Sequence, residues 1–171
     1  ETEPAKSMED AADDAEVWLN PKAADKSLIF GTDKKSGLFV FGLDGTKVDF
    51  FPVGRVNNVD LRSDFETVSG PRVLVGASNR TKLGISFFLL DPATLKVTQD
   101  DGSFIATDLT DPYGFCMYRS AKTGALFAIA IGKDGELRQF GLTHSDQGIK
   151  GELVRKFAFG SIAEGCVADD R

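Results

Sequence analysis

The sequence predicts an all-β fold, a β-propeller with three four-stranded blades and the start of a fourth. Three observations lead there. From Val17 onward, runs of Val, Ile, Leu and Phe alternate with small or polar residues, which is the period of a strand. Turn signals break the runs at Lys35-Ser36-Gly37, Asp44-Gly45, Asp91-Pro92, Lys122-Thr123-Gly124 and Lys133-Asp134-Gly135. The runs also recur at about 50 residues, the length of one propeller blade. No amphipathic helix interrupts them, and the acidic, Ala-rich opening from Glu1 to Asp14 has no apolar stripe.

Each blade centres on a hairpin. Leu28 to Lys34 is followed by Gly37 to Asp44, Val73 to Arg80 by Gly84 to Asp91, and Leu126 to Lys133 by Gly135 to Leu142. In each, an apolar strand ends on a basic residue, turns and returns. A short strand precedes each hairpin at Asp13 to Trp18, Asn57 to Arg62 and Pro112 to Tyr118, and a fourth such strand is predicted at Ala163 to Ala168. An outer strand follows at Lys47 to Phe51, Leu95 to Thr98 and Glu152 to Phe159. The blades therefore fall at 13–51, 57–98 and 112–159, and the fourth begins near 163.

Propellers have about four blades or more, so three would leave two open sheet faces. Three accounts stay open: a fragment, a cleaved product, or half of a dimer that closes the ring. The start at Glu1, with neither an initiator Met nor a signal peptide, adds the expectation of a processed or trimmed chain.

Composition narrows the function classes. The 171 residues are 42% hydrophobic and 27% charged, with a net charge of −6 and a pI near 4.8. A nucleic-acid binder would need a basic surface. No apolar run is long enough to span a bilayer. The single histidine, His144, falls in a polar stretch read as a turn from Thr143 to Gly148, which argues against a His-based triad and a multi-His zinc site. Histidine acid phosphatases are excluded. Asp101-Gly102, Gly148 and His144 read as turn chemistry only. Trp18 and the 14 Phe residues read as core between blades.

Lys34, Arg80 and Lys133 end the same strand in successive blades, at intervals of 46 and 53 residues. Equivalent strand ends around a ring share a face, so these cations are expected to converge near the axis. In a net acidic chain, such a ring suits a multiply charged anion. Solvated Lys and Arg at strand ends are the plainer reading for any one taken singly. Asp13, Asp14, Asp60, Glu164, Asp169 and Asp170 lie at or beside the innermost strands. Clustered oxygens suit Ca2+, which takes about six to eight. Solvated carboxylates are the alternative, since there is no EF-hand loop.

The motifs then become specific. Asp10-Ala-Ala-Asp-Asp-Ala-Glu-Val-Trp-Leu-Asn-Pro-Lys22 resembles the opening motif of β-propeller phytases. So do Gly31 to Leu38, Gly54 to Arg62, Ala77-Ser-Asn-Arg80, Tyr113-Gly-Phe-Cys-Met-Tyr118, Gly132 to Glu136 and Glu164-Gly-Cys-Val-Ala-Asp-Asp170. They run in family order across the whole chain and cover the first half of the six-bladed domain that the resemblance implies.

The resemblance implies a calcium-dependent 3-phytase, which releases phosphate from phytate (myo-inositol hexakisphosphate). In that family several calcium ions neutralise the substrate and activate a water for attack on phosphorus. It implies Lys34, Arg80, Tyr113 and Lys133 as phosphate contacts, and Glu164 and Asp13 as catalytic residues that hold active-site calcium. Asp14, with the carbonyls of Ala15 and Val59, resembles a structural calcium site. The family usually has Pro where this chain has Ala15, so that loop loses stiffness. Much of the family's acidic calcium cage belongs to later blades. The chain alone is therefore expected to be weakly active or inactive until its C-terminal half or a second chain completes the ring.

Cys116 and Cys166 fall on the innermost strands of neighbouring blades. They read either as one disulfide, fitting a secreted or periplasmic location, or as two buried thiols. Two rival functions remain: an incomplete propeller that binds phytate or calcium without turnover and assists a complete phytase domain, and a scaffold for protein partners.

Overall fold

The computed structural model describes residues 2–4, 7, 9–99 and 102–171. Part of the stretch from Glu1 to Asp14, and Asp101 of the Asp101-Gly102 turn, lie outside them. The first sheet runs β1 (Ala12–Trp18), β2 (Leu28–Asp33), β3 (Gly37–Gly42), β4 (Lys47–Phe51) in that spatial order. The second runs β5 (Val56–Thr67), β6 (Gly70–Asn79), β7 (Gly84–Leu90), β8 (Val97–Thr98), and a short β9 (Phe104–Ala106) also pairs with β7. The third runs β10 (Pro112–Arg119), β11 (Leu126–Gly132), β12 (Glu136–Ser145), β13 (Gly148–Ala158). Every pairing is antiparallel. These are three blades of a β-propeller. Among the described residues one 3₁₀ turn, Ala24–Lys26, is the only helical element, and no helix could cross a membrane.

The middle blade explains its own sequence. Strand side chains alternate between faces, so a sheet packed on both sides needs apolar residues at nearly every position. Val73, Val75, Ala77, Phe88 and Leu90 pack toward the first blade, with Phe30, Leu38 and Val40. Leu74, Ile85 and Phe87 pack toward the third, with Phe115, Met117 and Ala128. Trp18 is 2% exposed in the first of these cores. Gly76 leaves space that the Phe115 and Phe87 rings fill, and a Cβ there would collide with both. The outer flanks carry aromatic rows of their own. Phe39 stacks on Phe41 at 5.8 Å and meets Phe50 at 4.4 Å, and Tyr118 stacks on Phe127 at 5.8 Å.

The structure corrects three expectations. The strand predicted at Ala163 to Ala168 is absent, and residues 160–171 carry none. An innermost strand pairs with the second strand of its own blade, and these 171 residues contain no further strand for it. His144 lies within β12, opposite Ile149, because the hairpin turn is only Asp146 and Gln147. The second blade's outer strand shrinks to Val97–Thr98, because Leu95 adopts φ 62° in the preceding turn; β9 extends the same edge.

Candidate functional site

The three basic residues occupy one structural position. Each follows the last residue of its blade's second strand. Each amide donates to the residue just before the innermost strand: Lys34 to the Ala11 carbonyl at 2.7 Å, Arg80 to that of Arg55 at 2.8 Å, and Lys133 to that of Asp111 at 3.0 Å. The hydrogen bond repeats because the register repeats.

The innermost strands share a second feature. Each carries one extra residue at the same level: Asp13 and Asp14 opposite Thr32, Asn57 and Asn58 opposite Ser78, and Tyr113 between the pairs Pro112–Gly132 and Gly114–Ile131. A bulge of this kind re-aims side chains that regular pleating would send to alternate faces. It also frees an amide, which hydroxyls satisfy. Thr32 Oγ1 accepts from the Asp14 amide at 2.9 Å and Ser78 Oγ from the Asn58 amide at 3.1 Å. Ser78 Oγ then donates to the Tyr113 carbonyl at 2.7 Å, tying blade two to blade three.

The bulged residues and the cations meet. Arg80 lies 5.2 Å and Lys133 5.3 Å from the Tyr113 ring centroid, within cation–π range. Burial, and then the Glu164 charge, raise the pKa of the Tyr113 hydroxyl. Asn57 Nδ2 donates to Glu164 Oε1 at 3.1 Å. Lys34 Nζ lies 2.7 Å from Asp13 and 3.0 Å from Asp10, and the Asp13 hydrogen bond chiefly raises its pKa. Lys34 and Asp13 both act electrostatically on Tyr113. Arg80 is gripped by Asp111, Nε to Oδ1 at 2.7 Å and Nη2 to Oδ2 at 2.8 Å. Thus Lys34, Arg80, Tyr113, Lys133, Asp13 and Glu164 form one neighbourhood around Tyr113.

Asp14 lies deeper, against the second blade. Its Oδ1 accepts from the Ala15 amide at 2.9 Å, and its Oδ2 from the Val59 amide at 3.0 Å and Asn58 at 3.2 Å. It therefore meets residues 15 and 59 through their amides. The Ala15 bond is one that Pro could not make. Below it, Asp14, Glu16, Asn58, Asp60, Arg62 and Cys166 line a cavity of about 360 Å³. Burial raises the pKa of both Glu16 and Asp60. Asp170 bonds Arg62 at 2.7 Å and the Arg119 amide at 2.9 Å, while Asp169 turns outward to Arg171. Cys116 and Cys166 form a disulfide, with Cα atoms 5.7 Å apart.

Calcium needs about six to eight oxygens. Asp13 and Glu164 are hard-oxygen donors near one another's partner Tyr113, and the buried Asn57 Oδ1 beside Glu164 has no hydrogen-bond partner. They are the donor types that a calcium shell takes. They do not complete it, because among the described residues no three His, Cys, Asp or Glu side chains gather to hold a metal. Sequence reasoning passed over Asn57, Asn58 and Asp111. The signal was there: both asparagines sit in the repeated inner-strand motif, and Asp111 directly precedes Pro112-Tyr113.

Antiparallel four-stranded blades, each with one basic residue at the same strand end, define a β-propeller. The phytase family model matches residues 1–171, and the chain belongs to that family. It is 41% identical over 176 residues to a 3-phytase of Bacillus subtilis (strain 168), covering 99% of this chain and 46% of that protein. The chain thus spans less than half the length of this curated relative. In fold it resembles a periplasmic gluconolactonase of Pseudomonas aeruginosa, PpgL, with a TM-score of 0.60 and 17% identity, over 87% of this chain and 40% of that one.

Proposed function

We propose that this chain forms the substrate-gripping half of a phytase that releases phosphate from phytate. The observation that carries the reading is the gathering of Lys34, Arg80 and Lys133 around Tyr113 in a chain of net charge −6. A compact, highly charged anion needs several cations within one small area.

The chain's own residues supply binding and orientation. Arg80 presents a planar fork for two phosphate oxygens, and Lys34 and Lys133 add point charges. Tyr113 donates one hydrogen bond and keeps its proton well into alkaline conditions, because burial disfavours the phenolate. Glu164, held by Asn57, acts on the Tyr113 hydroxyl. Calcium held in part by Asp13 and Glu164 would neutralise the phosphates and activate the attacking water. A structural calcium ion at Asp14 would take the Ala15 and Val59 carbonyls and displace the amides that now bond the Asp14 carboxylate. The disulfide supports a secreted or periplasmic setting, where such bonds persist. The aromatic outer flanks favour a ring completed by further blades or by a second chain.

A second reading, phytate binding without turnover in support of a complete phytase domain, is favoured by one observation. Asp13 and Glu164 are already engaged by protein donors, and no third carboxylate joins them among the described residues. Phosphate release from phytate by the purified chain, with calcium and with a chelator, separates the two. Calcium-dependent release establishes the enzyme. Phytate binding with no release in either condition establishes the binding domain. Neither binding nor release overturns both.

A further inference from the structure

We propose that Asp111 is a positioning residue for anion recognition: it holds the Arg80 guanidinium by one edge and leaves the other edge turned toward a phosphate group. This rests on the reading of Arg80 as a phosphate contact.

A guanidinium offers two useful edges for paired hydrogen bonds, Nε with one Nη and the two Nη together. Asp111 takes the first, at 2.7 and 2.8 Å. The second remains, with Nη1 making no hydrogen bond among the described residues. The Tyr113 ring, 5.2 Å from the guanidinium carbon, limits rotation about the remaining torsions. The Arg80 side chain is only 15% exposed, so it has little room to swing. An arginine fixed by a carboxylate and an aromatic face has lost its rotamer freedom before ligand arrives, which lowers the entropic cost of binding.

Asp111 also fixes a second cation. Its carbonyl accepts the Lys133 amide at 3.0 Å, so the residue that orients the blade-two cation anchors the turn that carries the blade-three cation. In the other blades this position is Ala11 and Arg55, which supply the same carbonyl and no carboxylate. Only the third blade places an acid there, within hydrogen-bond reach of the neighbouring blade's Arg. A lone carboxylate at a polyanion site would repel the ligand. Here Arg80, Arg55 and Lys133 all act on it, so its charge is countered by three cations. The Arg80 hydrogen bond also holds the Asp111 carboxyl below its ordinary pKa, keeping the clasp ionised at neutral pH.

The test compares wild type with Asp111→Asn, Asp111→Glu and Arg80→Ala by calorimetric titration of myo-inositol hexakisphosphate in a chelator. The Arg80 Nε–H is followed by nitrogen-15 NMR, and circular dichroism monitors the fold. Asp111→Asn is expected to weaken binding about tenfold and to speed exchange of the Arg80 Nε–H. Asp111→Glu, which restores the charge on a longer stem, is expected to recover part of both. Equal or tighter binding by Asp111→Asn overturns the proposal and makes Asp111 a bystander, or a competitor for the guanidinium. Unchanged binding by Arg80→Ala overturns the reading of Arg80 itself, and the proposal with it.

Discussion

Asp60, on the innermost strand of the second blade, accepts the backbone N–H of Met117, on the innermost strand of the third, at 2.7 Å. The same carboxylate holds Arg62 at 2.6 Å, and Arg62 donates to the Met117 carbonyl at 2.6 Å. One acid and one base thus clasp both polar groups of a single residue in the next blade. The Asp60 side chain is 15% exposed, so its loss leaves a buried amide and a charged Arg62 short of partners. Asp60→Ala is expected to lower unfolding stability by about 2 kcal/mol in urea denaturation. An unchanged midpoint would show that the clasp adds nothing to blade docking.

The disulfide closes a sequence separation of 50 residues and ties the strandless terminal segment to β10. Chain-entropy arguments give such a loop about 4 kcal/mol of stabilisation. Reduction, or the double substitution Cys116→Ala with Cys166→Ala, should lower the denaturation midpoint accordingly. It should also speed amide exchange in residues 160–171 beyond that in β10.

Gly114 lies against the backbone of Glu164, and a Cβ there would collide with the Glu164 carbonyl. Gly114→Ala should push the Glu164 segment outward while the blades stay folded. The hydrogen bond from Asn57 to Glu164 would break. Phytate affinity and any phosphate release should fall at least tenfold, with circular dichroism unchanged.

Tyr113 is one of two tyrosines, so its ionisation can be followed by ultraviolet absorbance. Burial raises its pKa above the ordinary value of 10.0, and the Glu164 charge adds to the shift. A raised acid pKa favours the protonated phenol in the folded state. The stability this represents is complete below pH 10 and is lost as pH climbs through the raised value. Tyr113→Phe should remove the later-titrating phenol. If the late step remains in that variant, Tyr113 is not its source, and burial does not raise the Tyr113 pKa in solution.

Thr32 is 4% exposed, and its hydroxyl accepts the Asp14 amide at 2.9 Å at the first blade's bulge. Thr32→Val keeps the shape and removes the acceptor. It should cost about 1 kcal/mol in thermal or urea unfolding and loosen Asp14 from Val59, because the Asp14 amide loses the acceptor at Thr32. Ser78→Ala should behave likewise in the second blade.

Sequence by itself determined the blades, the three cations and the candidate pair of cysteines. Strand alternation is a local property, and repetition turns Lys34, Arg80 and Lys133 into one position seen three times. Only the tertiary structure decided the rest. Which residue is extra in a strand depends on what lies opposite it, so the bulges at Asp13-Asp14, Asn57-Asn58 and Tyr113 appear only once the strands pair. Asn57 meets Glu164 across 107 residues and Arg80 meets Asp111 across 31, and neither spacing repeats. The segment from Ala163 to Ala168 reads as a strand by its place in the repeat yet forms none, because a strand is a hydrogen-bonded relation between two segments and this one has no partner.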